Sequence, residues 1–109
     1  MSDSQSIQVL TLAVCLFNDV AALDFIGPME LFGFLSLQRL LDETRNPGLG
    51  VPKYALQTTY ISPTENPIKP SSGPIMTTST TYDNAKEQFD ILLIPGGTKC
   101  LSIIQIMLA

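Results

Sequence analysis

The feature that most constrains this chain is the apolar run at residues 7–17, stopped by Asn18 and Asp19. Rich in Val, Leu and Ile, it suits a central parallel strand covered on both faces rather than an edge strand that alternates. It is also well short of the ~20 residues a membrane span needs. The residues before it include Asp3 and no Lys or Arg, so the basic region of a secretory signal is missing. A soluble, cytoplasmic protein with no membrane partner is expected.

The following pattern reads as alternating elements. Gly27-Pro28 opens a helix, because proline lacks an N–H that the first turn does not use. It is expected to run to about Leu41 or Glu43 and to end in the Arg45-Asn46-Pro47-Gly48 region. Met29, Leu31, Phe32, Phe34, Leu35, Leu37, Leu40 and Leu41 surround it almost completely, which predicts burial on more than one side. Residues 54–61 form a second strand ending at Ser62-Pro63. The segment 64–81, rich in Pro, Ser, Thr and Gly, reads either as a disordered linker or, better, as a short edge hairpin, with Ile68 on one arm, Ile75-Met76 on the other and the turn at Ser71-Ser72-Gly73. A brief helix at residues 82–88 and a compact buried strand at residues 91–94 complete the order. This is the pattern of a right-handed parallel α/β sheet, whose sites lie at the carboxyl ends of strands.

Composition removes several functions. With 109 residues the chain is one domain at most. A net charge of −4 and a pI near 4.4, with six dispersed basic residues, leave no electrostatic footprint for nucleic acid. Zero histidines exclude Ser-His-Asp and Cys-His arrangements and any His-ligated zinc or iron within the chain. The carboxylates show no metal-binding spacing, so neither metal nor cofactor is expected. Cys15 falls within the first strand and reads as a buried thiol. Hydrophobic residues make up 45% of the chain, much for so small an interior, which points to a fragment or to a protomer whose surface is covered by a partner. A homodimer or other self-association is the expected form.

Two short segments fall at strand ends. Asp24, between Leu23 and Phe25 and three residues before the expected helix start, should be partly desolvated and available for hydrogen bonding to a nucleophile. Alternatively it only charges the first helical turn. Gly96 and Gly97 follow the last strand, where adjacent glycines let backbone N–H groups approach a ligand oxygen; the alternative is an ordinary turn. No phosphate-binding glycine pattern surrounds them.

Residues 17–32, with Leu23-Asp24-Phe25-Ile26-Gly27-Pro28 at their centre, resemble the isocyanide-hydratase-like branch of the ThiJ/PfpI superfamily. Ser72-Gly73, Ile75, Tyr82-Asp83 and the run Asp90 to Gly97 are similar to that family's next segments, in order. The resemblance covers residues 9–97 and implies a parallel-sheet α/β sandwich of the glutamine-amidotransferase-like, flavodoxin-like type, here incomplete. It implies a cysteine-dependent enzyme that hydrates or hydrolyses a small molecule, in which Asp24 is the carboxylate partner of the nucleophilic cysteine and Gly96 and Gly97 hold the substrate. The same domain type also serves as the non-catalytic sensor half of AraC-type transcription regulators.

After Gly97 the likeness stops. Residues 98–109 read as a non-matching apolar tail, so that residues 1–97 form the N-terminal part of a ThiJ/PfpI-like domain. A nucleophile elbow needs a small residue close after its cysteine, and Leu101 and Ile103 do not supply one after Cys100. The expectation is a chain lacking the family's catalytic cysteine and inactive alone. A non-catalytic ligand-binding or regulatory module and a structural protomer are the alternatives.

Overall fold

The computed structural model describes residues 7–36 and 53–108. In chain order these form β1 (Gln8–Cys15), α1 (Leu23–Phe32), a 3-10 turn (Gly33–Leu35), β2 (Tyr54–Ser62), β3 (Thr80–Thr81), β4 (Ile91–Leu93) and α2 (Cys100–Leu108). The strands make one sheet of order β3-β2-β1-β4, and every pairing is parallel. The α/β class and the central place of the first strand are as the sequence predicts.

β1 pairs with β2 along its whole length, from Gln8 against Tyr54 to Cys15 against Ile61. On its other side only Leu12, Ala13 and Val14 pair, with Ile91, Leu92 and Leu93. Residues 12–17 are buried without alternation, as in a strand covered on both faces. Around them pack Val20, Phe25 from α1, Leu56 from β2, Ile68 and Ile103 from α2. Asp90 fixes the register of β4: its Oδ2 accepts from the Thr11 N–H at 2.9 Å and from the Thr11 hydroxyl at 3.2 Å, while its own N–H donates to the Thr11 carbonyl at 3.0 Å.

The expected hairpin is present in outline. Ile68 and Met76 exchange N–H to carbonyl bonds at 2.8 and 3.0 Å, and Gly73 in the turn takes φ +109°, a conformation that glycine adopts without a Cβ penalty.

Five expectations need correction. α1 begins at Leu23, not at Gly27-Pro28, and Pro28 lies inside it. Ala22 already has helical dihedrals, φ −57° and ψ −41°, so the helix starts straight from the loop. α1 also ends early, because Gly33 weakens it and Ser36 turns extended at ψ 140° to bridge Leu56 of β2. The stop expected at residues 45–48 lies outside the described residues. Nor is α1 buried on several sides: Phe25 is its one buried residue, while Leu23 and Leu31 are 78% and 70% exposed; Leu37, Leu40 and Leu41 lie outside the described residues.

The brief helix at residues 82–88 is a turn. The Tyr82 N–H donates to the Ser62 carbonyl at 3.0 Å and its phenol to the Leu16 carbonyl at 2.7 Å, which ties the segment to the sheet. β4 is shorter and more open than a buried strand, with Ile91 and Leu92 exposed. β3 and the helical form of residues 100–108 were not foreseen: two residues are too few for a strand pattern, and residues 98–109 read only as an apolar tail.

Candidate functional site

The sheet order fixes where a ligand crevice falls. The connection from β1 leads to β2 on one side, whereas the chain returns after β3 to place β4 on the other side of β1. Where the direction of winding reverses, the loops leaving two adjacent carboxyl ends part and leave a crevice. Here those loops are residues 16–22 after β1 and residues 94–97 after β4, which carry the two segments singled out in the sequence.

The loops are joined directly. The Gly96 N–H donates to Asp24 Oδ2 at 2.9 Å, and the Ala21 N–H donates to the Gly96 carbonyl at 2.9 Å. Val20 and Gly97 form an antiparallel bridge beside them. A Cβ on Gly96 would come within 2.6 Å of Asp24 Oδ2, so the carboxylate occupies the space that a side chain would need. Gly97 has φ +145°, and a Cβ there would meet Phe17 Cε2 at 2.8 Å and the Asp19 carbonyl oxygen at 2.9 Å. Gly97 is therefore required both by close approach to a core ring and backbone and by its dihedral, whereas at Gly96 the obstructing atom is the end of an exposed side chain that can turn aside.

Asp24 lies in the first turn of α1, where the helix dipole favours a carboxylate. It serves that local role and the contact with Gly96 together. Contrary to the sequence reading, it is exposed rather than partly desolvated. Its early place in the helix puts it at the open mouth of the crevice, not in the wall of a preceding loop. Beyond the Gly96 bond, its carboxylate has no hydrogen-bond partner among the described residues.

Residues 18–21 hold this arrangement from the other side. Asp19 has φ +70°, a left-handed conformation that aspartate tolerates better than most residues. Its N–H donates to the Lys69 carbonyl at 2.8 Å, the Lys69 N–H donates to Asn18 Oδ1 at 2.8 Å, and the Ser71 N–H donates to the Val20 carbonyl at 3.0 Å. The hairpin at residues 68–76 thus braces the loop against residues 95–97. Asp19 is exposed, but its backbone is built into the site. The Asn18-Asp19 pair after a strand was the available signal, since these residues favour tight turns.

Cys15 is fully buried in β1, as expected, and burial pushes its thiol up to about 11. Tyr82, held over the carboxyl end of β1, is likewise pushed up, first by burial and then by Cys15. A thiol so placed is protonated at neutral pH and shielded from reagents. Cys100 opens α2 three residues after Gly97; its side chain lies outside the described residues. Among the described residues no group of His, Cys, Asp and Glu could hold a metal ion, and no helix is long and apolar enough to cross a membrane.

No protein-family model and no curated protein matches the sequence. Solved structures do resemble the fold. A ThiJ/PfpI family protein from Pseudomonas syringae superposes with a TM-score of 0.62 at 14% identity, over 90% of this chain and 37% of its own. One from Bacillus anthracis gives 0.59 at 16% identity, over 95% of this chain and 46% of its own. A DJ-1 superfamily protein from Agrobacterium tumefaciens gives 0.52 at 22%, over 85% and 40%. The chain thus spans less than half the length of each. Over that span, the chain has the fold of ThiJ/PfpI and DJ-1 superfamily proteins.

Proposed function

We propose that this chain supplies the carboxylate and glycine-loop part of a small-molecule site of the ThiJ/PfpI type, in which a cysteine thiol outside the described side chains does the covalent work. The 2.9 Å bond from the Gly96 N–H to Asp24 Oδ2 carries this reading, because it brings the two resembling segments to one crevice at the switch point of the sheet. The bond holds one carboxylate oxygen and leaves the other to face a thiol and exchange a proton with it. In an isocyanide-hydratase-like reaction the thiol would add across the terminal carbon of the isocyanide. Its sulfur bonds to that carbon and its proton passes there through Asp24. Water then displaces the sulfur, yielding the N-substituted formamide and regenerating the thiol. Gly97 is the member of the glycine pair whose N–H remains for the substrate.

Within the chain Cys15 cannot fill the thiol's role, since it is buried in β1 and protonated at neutral pH. Cys100 is followed by Leu101 and Ile103 rather than by the small residue a nucleophile elbow needs, so the chain alone is expected to be inactive towards small isocyanides and towards methylglyoxal. Turnover that disappears in Cys100→Ser would identify Cys100 as the nucleophile and overturn this expectation. In a version given a cysteine elbow, Asp24→Asn should abolish most turnover with little loss of stability, and unchanged turnover would reduce Asp24 to a helix-end residue.

A non-catalytic ligand-binding or regulatory role is the second reading. It is favoured by the engagement of the Gly96 N–H with Asp24, which leaves one glycine amide rather than two for a substrate. Saturable binding of the same compounds without turnover, even with the elbow in place, would select it.

A further inference from the structure

A second cleft, separate from the Asp24 crevice, lies between α1 and the carboxyl half of β2. It has a volume of about 280 Å³ and is lined by Phe25, Ile26, Met29, Glu30, Gly33 and Tyr60. At 3.6 residues per turn, residues 25, 26, 29 and 30 share one face of the helix, and Asp24 lies about 170° from its centre. The cleft therefore cannot be an extension of the site at Gly96.

Its chemistry is selective. Phe25 and Tyr60 supply two aromatic rings and Met29 a polarisable thioether, while Glu30 is the single charged group among the described residues of the lining. Neither the Glu30 carboxylate nor the Tyr60 phenol has a hydrogen-bond partner among the described residues. Tyr60 is half-buried, and that burial raises its pKa, so the phenol stays neutral at physiological pH. An anion would meet the carboxylate with no cation among the described lining residues to offset it. A purely apolar molecule would fill the floor but leave the carboxylate without a counter-charge.

We propose that this cleft binds a small organic ammonium ion, with the cationic head between Glu30 and the Tyr60 ring and a short apolar tail over Phe25 and Met29. Aromatic rings attract cations through their quadrupole, and the carboxylate adds a direct charge partner. The chain's net charge of −4 favours approach of a cation.

Ligand-observed NMR on the full chain tests this, with n-butylammonium as the probe and n-butyrate and 1-butanol as matched anionic and neutral controls. Butylammonium should bind saturably in the millimolar range and more tightly than either control. Glu30→Gln should weaken it by about threefold to tenfold, and Tyr60→Leu by a similar factor. Glu65→Gln, on an exposed loop away from this cleft, should leave binding unchanged, which separates site binding from general attraction to an acidic protein. Glu30 is exposed, so its variant should keep the parent's circular dichroism spectrum and melt. Equal binding of butyrate, no saturable binding by the parent, or unchanged affinity in a folded Glu30→Gln would each overturn the proposal.

Discussion

Gly97→Ala tests whether the crevice is as tightly built as its geometry indicates. At φ +145° an alanine is strained, at a cost of about 1–3 kcal/mol for a residue held in a glycine-only region. Its methyl would also lie 2.8 Å from Phe17 Cε2 and 2.9 Å from the Asp19 carbonyl oxygen. Phe17 is 1% exposed and packed in the core, and the Asp19 carbonyl belongs to a backbone pinned by Lys69, so neither can withdraw cheaply. Overpacking of this kind adds about 1–3 kcal/mol. The central expectation is a loss of about 4 kcal/mol, a large part of a small domain's stability.

Gly96→Ala should behave differently although its nearest approach, 2.6 Å, is closer. The obstructing atom there is Asp24 Oδ2, at the end of an exposed side chain that can rotate away and forfeit one exposed hydrogen bond, about 1 kcal/mol. Since the clash and the bond involve the same carboxylate, Asp24→Ala combined with Gly96→Ala should cost about 1 kcal/mol rather than the sum of the two. Urea unfolding followed by far-UV circular dichroism measures the parent, the three single variants and the double variant. A Gly97→Ala loss within about 0.5 kcal/mol of the parent, the range of ordinary surface substitutions, would refute the reasoning. So would equal losses at the two glycines.

In a Cys100→Ser background, Cys15 should resist thiol reagents until the protein unfolds, and labelling at the rate of free cysteine would refute its burial. Because the folded thiol titrates near 11 against 9.0 for the free group, the native state holds that proton more tightly. Its contribution to stability is whole below pH 9 and is lost as the pH rises from about 9 to 11; urea midpoints across that interval should fall, and a rise would contradict the sign. Asp90→Ala removes both bonds from Thr11 to the carboxylate and should cost about 1–2 kcal/mol in the same unfolding assay, whereas an unchanged midpoint would show that β4 keeps its register without the clip. The exposed Leu23, Leu31, Leu101 and Phe34 predict self-association at micromolar concentration, and a monomer in sedimentation would oppose it.

Elements defined by long hydrophobic patterns were legible in the sequence. β1 and β2 declare themselves through runs of eight and nine residues, and the hairpin through turn residues between Ile68 and Met76. Short elements were not legible, since the two residues of β3 carry no period and its place depends on pairing Thr80 with Ile61. The start of α1 was misplaced because Gly27-Pro28 is a local start signal, whereas the observed start at Leu23 depends on how residues 18–22 pack against the hairpin. Of the site, Asp24, Gly96 and Gly97 could be picked out as residues at strand ends. Their contact could not, because it depends on β4 lying beside β1 rather than beside β3.

Hydrophobicity was the signal that transferred least directly. The nearly all-apolar surface of α1 predicts burial on several sides, yet within this chain only Phe25 is buried. Ile91 and Leu92 on the outer strand and Leu101 on α2 show the same mismatch. A pattern of this kind reports the surroundings in which the side chains are stable, and the described residues do not supply such surroundings to these side chains. Residues 12–17, by contrast, find their full apolar surroundings within the chain. The Asp24–Gly96 contact arises from loops anchored on that self-sufficient part of the sheet, so covering α1 should leave the contact intact. The cleft beside Tyr60 lies on α1 itself and would respond to whatever covers that helix, which makes it the more sensitive of the two sites to association.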